Sequence, residues 1–179
     1  MRHCSERTGC ARTVPSTSSL RGDILCLQQV ENIVGYVENV RPGERLKMMH
    51  VGIDPGVITG YAIWDGSERT LRHVGSGTII WVMGLVKELD RPYKVVIEDA
   101  RQRKWFGLGG AGKLQGAGSV KRDCGIWEEF LTSLGAEFTF VHPQRGLTKM
   151  SDERFKAMTK WRGSTNEHAR DAAMLVYGT

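Results

Sequence analysis

The sequence predicts an α/β domain with one sheet flanked by helices. Three short apolar runs joined by turn residues come first, at 50–54, 60–64 and 72–80, and read as an antiparallel meander. Helical and strand-like patterns then alternate: a helix at 81–89, a strand at 93–98, a long helix at 113–134, a strand at 136–141, and two short terminal helices. Two of the strands also end in a carboxylate, Asp54 and Glu98.

Composition bounds the possibilities. The chain has 179 residues, 40% of them hydrophobic, enough for one domain with a full-sized core. No apolar run approaches the ~20 residues of a membrane-spanning helix. A formal charge of +5 and a pI near 9.2 favour a polyanionic partner. Cys4, Cys10 and Cys26 crowd the first segment and Cys124 stands alone, with no CxxC pair and no signal-peptide pattern, so a reducing cytoplasm is expected. His3, Cys4 and Cys10 do not have zinc-ligand spacing.

Residues 1–47 differ from the rest. Ser, Thr, Arg and Gly dominate to Asp23, and a helical stripe of Leu25, Val30, Ile33, Val34 and Val37 follows, stopping near Arg41-Pro42-Gly43. This is either a disordered arm with one amphipathic helix, or an over-extended reading frame ahead of a start at Met48 or Met49. The second reading is favoured, since it puts the first strand near the start. The folded domain is expected over 48–179.

The first strand runs His50-Val51-Gly52-Ile53-Asp54 into Pro55-Gly56, and a second apolar run begins at Tyr61, the pattern of a hairpin. A carboxylate closing a buried strand is costly unless a cation or turn N–H groups meet it; capping of its own turn is the alternative. The helix at 81–89 presents Val82, Leu85, Val86 and Leu89 on one face and ends before Arg91-Pro92. Val95-Val96-Ile97 then reads as a central strand ending in Glu98. Were these strands neighbours, Asp54 and Glu98 would face each other, each raising the other's pKa or requiring a cation between them.

The segment after Glu98 is basic, aromatic and Gly-rich. Arg101, Arg103, Lys104 and Lys113 suit phosphate, and Trp105 and Phe106 can stack on or wedge between bases, so it reads as a nucleic-acid contact loop; packing of the aromatics onto the core is the alternative. Gly109-Gly110-Ala111-Gly112-Lys113 lacks the spacing of a phosphate loop. The long helix carries Gly116-Ala117-Gly118-Ser119 and then Lys121 and Arg122, with Ile126, Trp127, Phe130, Leu131 and Leu134 as a core stripe and Gly135 as its stop. Ser151 caps a helix at 152–160. Ser164-Thr165-Asn166-Glu167 has capping-box form, which assigns Glu167 to the Ser164 N–H. His168 and Asp171, three apart, share one face of the last helix, either as a buried pair or as ligands.

The strand and helix order, with acids at 54, 98 and 171 and His168, is that of the ribonuclease H-like fold, a mixed five-stranded sheet flanked by helices. The motifs closely resemble RuvC-type Holliday-junction resolvases, particularly their bacteriophage relatives. They are Ile53-Asp54-Pro55-Gly56 with Thr59-Gly60, Ile97-Glu98-Asp99-Ala100-Arg101, 115–123, and Glu167-His168-Ala169-Arg170-Asp171-Ala172-Ala173. The resemblance covers Met49 to the C-terminus. It implies an endodeoxyribonuclease cutting four-way DNA junctions as a homodimer, with Asp54, Glu98, His168 and Asp171 binding two Mg²⁺ ions, for which Mn²⁺ can substitute. Lys121 and Lys149 are candidate phosphate contacts. The short 54–98 segment and the Gly-rich loop depart from cellular resolvases and put junction and cleavage-sequence preference in doubt. Rival readings are another nuclease of this fold, a binding module, which would be expected to lack a ligand, and a sugar-kinase-like ATPase, whose second phosphate loop is missing here.

Overall fold

The computed structural model describes residues 48–89, 92–102, 111–143 and 149–179, with only the backbone of 111–117. The expectations for 1–47 lie outside these residues, as do those for Arg103, Lys104, Trp105 and Phe106 and for the Lys113 side chain.

Strands β1 (Met49–Asp54), β2 (Thr59–Asp65) and β3 (Thr70–Gly77) form the meander, and α1 (Ile79–Lys87) crosses over to β4 (Tyr93–Glu98). A short 3₁₀ turn, Ala100–Gln102, precedes α2 (Ala111–Leu134), which leads to β5 (Glu137–Val141); α3 (Asp152–Thr159) and α4 (Glu167–Val176) follow. The sheet order is β3-β2-β1-β4-β5. The β1–β2 and β2–β3 pairs are antiparallel, and β1–β4 and β4–β5 are parallel. Antiparallel neighbours need only tight turns, whereas each parallel pair needs a crossover, supplied here by α1 and α2.

The period-two alternation of the strands makes two cores. Val51, Ile53, Tyr61, Ile63, Val95 and Ile97 meet Val82, Leu85 and Val86 of α1 and Trp127 and Leu131 of α2. On the opposite face Ala62, Trp64, Leu71 and Val74 pack with Phe155 of α3 and Ala169, Ala173 and Val176 of α4. Leu71 and Val74 share a face despite their odd spacing, because the β2–β3 register shifts between Ile63 and Trp64.

Several boundaries differ from expectation. The third strand covers 70–77 instead of 72–80: the Thr78 hydroxyl accepts from the Trp81 N–H, so the β-branched Ile79 and Ile80 open a helix. The α2 stripe is rotated, with Cys124, Trp127 and Leu131 buried and Ile126 and Leu134 exposed. The cap of α4 is Asn166, whose side chain accepts from the Ala169 N–H; Glu167 is the first helical residue, and the expected capping box is replaced. Ser151 caps α3, and Gly135 adopts φ 64 after α2, both as expected.

Candidate functional site

Strands β1 and β4 run side by side with Ile53 opposite Ile97, so the next residue of each, Asp54 and Glu98, stands at the same C-terminal end of the sheet. The alternation that turns Ile53 and Ile97 toward α1 and α2 turns both acids toward α4. Two glycines let α4 come this close. A Cβ on Gly52 would lie 2.0 Å from the Ala172 carbonyl oxygen, and one on Gly60 would lie 2.0 Å from that of His168. Ala169, Ala172 and Ala173 complete the seat, each buried. Gly60 stands in the Thr59-Gly60 motif, but the close contact of either glycine with a helix was not read from the sequence, although a strand-interior glycine facing an alanine-rich helix is the signal for it.

The seating brings His168 onto Asp54: its Nδ1–H donates to Asp54 Oδ2 at 2.9 Å. With Nδ1 so engaged, Nε2 is the ring nitrogen left to take a ligand. One turn further on, burial and the charges of Asp54 and Glu98 push the Asp171 carboxyl up to about 7; Glu167 adds to the rise and His168 opposes it. Asp171 Oδ1 is shielded from solvent without a hydrogen-bond partner among the described residues. The structure thus gathers Asp54, Glu98, His168 and Asp171 around one end of the sheet. Among the described residues, no three His, Cys, Asp or Glu groups are placed as a ready-made metal cage. The donor set still fits a hard divalent cation. Carboxylate oxygens dominate it, burial together with their mutual repulsion raises Asp171, and one buried oxygen lacks a partner among the described residues.

Neighbouring groups hold the frame. The Cys124 thiol, buried in α2, donates to the Glu98 carbonyl at 3.7 Å. The Asp99 N–H donates to the Val141 carbonyl at 2.8 Å. Arg101 is more committed than its sequence context suggests: its Nε donates to Asp99 Oδ1 at 2.8 Å, its Nη1 to Glu128, and its guanidinium lies 4.3 Å from the Phe140 ring centre. These bonds hold Asp99 below the usual carboxylate range against the opposing effect of burial. Arg122 and Lys149 are exposed and Lys121 is half-buried, with Arg122 bonded to Ser119 and Asp123. Arg170, passed over in the sequence, ties α4 to the preceding loop by donating to the Met150 carbonyl at 2.8 Å and to the Thr165 hydroxyl at 3.1 Å. A cavity of about 350 Å³ lies beside the start of α4, lined by Ser76, Ser164, Thr165 and Asn166 among others.

A mixed sheet of this order, flanked by α1 and α2 on one face and α3 and α4 on the other, defines an α/β fold of the ribonuclease H-like class. Within that class, a solved structure similar to this chain is that of "T. thermophilus RuvC in complex with Holliday junction substrate", with a TM-score of 0.54 and 14% identity over 73% of this chain and 92% of that one. Comparison with protein-family profiles and with curated protein sequences gives no match.

Proposed function

We propose that this chain is a metal-dependent endodeoxyribonuclease of the RuvC type that hydrolyses phosphodiester bonds at four-way DNA junctions. The observation that carries the reading is the meeting of Asp54, Glu98, His168 and Asp171 at one sheet end, with Asp171 raised to about 7 and one of its oxygens unpaired among the described residues. The similar fold of a resolvase solved with a Holliday junction supports it, as does the net charge of +5.

Asp54, Glu98, Asp171 and His168 through Nε2 would hold Mg²⁺, or Mn²⁺ in its place. When bound, the metal polarises the phosphoryl group and acidifies an attacking water. The residues set the terms of that chemistry. Asp54 fixes the tautomer and orientation of His168 through the 2.9 Å bond. Without metal, Asp171 holds a proton up to about pH 7, which a bound cation would have to displace. The Cys124 thiol and the Asp99–Val141 bond anchor the end of β4, so that Glu98 meets Asp54 in fixed register. Arg122, Lys121 and Lys149 supply positive charge for phosphates, and the proposed place of action is the cytoplasm.

The test compares cutting of four-way junctions, flaps and linear duplexes in Mg²⁺. The wild-type chain is expected to cut junctions in preference to the other two. Asp54→Asn and Glu98→Gln, which keep shape and remove charge, should each lower cutting at least ~10³-fold while junction binding persists. A purified variant that still cuts at the wild-type rate would remove its residue from the site.

A further inference from the structure

We propose that the Val57-Ile58 tip of the β1–β2 hairpin is an apolar contact for unstacked nucleotides of branched DNA, lying against the bases or sugars that flank the cut. The inference rests on the nuclease reading above and names a surface of that same site.

Val57 is 79% exposed and Ile58 51%, the two turn residues between Gly56 and the buried Thr59. The tip has little freedom to hide them. The Thr59 hydroxyl donates to the Gly56 carbonyl at 2.9 Å, Pro55 and Gly56 are buried, and Asp54 pairs with Gly60 across the hairpin. β-Branched side chains add stiffness at χ1. Two adjacent apolar residues are thus held out in solvent by a turn closed beneath them. Single exposed apolar residues are ordinary, but here a rigid pair sits beside the acids.

Position assigns the occupant. Val57 is three residues from Asp54, so their Cα atoms are at most about 11 Å apart, roughly three base-pair steps at ~3.4 Å. A strand with its scissile phosphate at Asp54 and Glu98 therefore passes the tip within a few nucleotides. A charged or hydroxyl side chain there would meet phosphate; Val and Ile offer phosphate nothing. Their chemistry suits the carbon surface of a base or sugar, which paired duplex hides in its stack and a branch point exposes.

The experiment compares the full-length wild type with Val57→Ser/Ile58→Ser, its two single Ser variants, and the conservative Val57→Ile/Ile58→Val. Each is titrated in metal-free buffer with a four-way junction carrying 2-aminopurine beside the branch and with a linear duplex of equal length. The expected result is about tenfold weaker junction binding and loss of the 2-aminopurine fluorescence rise for the double Ser variant. Duplex affinity should stay within about twofold, thermal unfolding should be unchanged, and the Ile/Val variant should keep wild-type behaviour. Unchanged junction binding and fluorescence in the Ser variants would overturn the inference, and junction cutting by the wild type would leave the nuclease reading standing. An equal loss on duplex, an equal loss in the Ile/Val variant, or conversion of a wild-type dimer to a monomer would overturn it too, the last by making the tip a contact between copies. A wild type that binds no DNA would overturn both readings.

Discussion

Asp171 gathers the strain of the site, because burial first, and then every acid near it, adds to the cost of its charge. Its carboxyl has a pKa of about 7 in the folded chain against 3.8 as a free side chain, so the folded state binds this proton more tightly. Its contribution to stability is therefore complete below about pH 4, is lost as pH rises toward 7, and stays flat above that. Asp171→Asn should remove this decline, which thermal unfolding from pH 4 to 8 without metal would read directly. On the proposed function Mg²⁺ would have to displace the same proton, so its affinity should fall by up to about tenfold per unit below pH 7. A titration by calorimetry at pH 5.5 and pH 8 showing equal affinities would exclude Asp171 as a ligand. Asp54, Glu98, His168 and Asp171 could be picked out of the sequence because each breaks a local rule, ending an apolar strand or starting a buried helical face with charge. Arg101 was harder to read, since its partners Glu128 and Phe140 are distant in sequence and only folding shows that its guanidinium is already engaged.

At the scale of elements, the seat of α4 decides where two of the four groups stand. Gly52→Ala and Gly60→Ala each drive a Cβ to 2.0 Å from a helix carbonyl, and backbone cannot swing aside as a long side chain can. Each should destabilise by about 1–3 kcal/mol or more and displace His168 and Asp171, lowering junction cutting more than junction binding. Gly84, on the exposed side of α1 with nothing within 4 Å, is the control: Gly84→Ala should stabilise by about 0.5–1 kcal/mol. Chemical denaturation of the three variants measures all of this, and a mild effect at Gly52 or Gly60 would mean the helix can lift away harmlessly. The strands and helices themselves were legible because apolar periodicity survives wherever one face is buried. Their ends were less so. Ile79 and Ile80 have strand-forming side chains, yet the Thr78 cap makes them helical, and Asn166 outcompeted Ser164 for the start of α4. The rotation of the α2 stripe depended on which face meets β4, a tertiary choice that leaves no local mark.

For the whole molecule, the expected active species is a two-fold homodimer, because resolving a junction requires two symmetric cuts on opposing strands. Helix α2 is the candidate interface: Gly118, near its start, is exposed with open space around it, and Gly116 and Ala117 precede it. Equilibrium sedimentation at micromolar concentration, with and without junction DNA, should show a dimer; a monomer in both would favour a nuclease that cuts once. The sheet also fixes when activity can arise. The β1–β2–β3 meander joins residues close in sequence, whereas Glu98 reaches Asp54 only after a crossover, and His168 bonds a partner 114 residues earlier. No early portion of the chain emerging from a ribosome therefore holds a complete set of ligands. On the proposed function, cutting competence begins only once α4 has been synthesised and docked, so a half-made chain that meets DNA would not nick it.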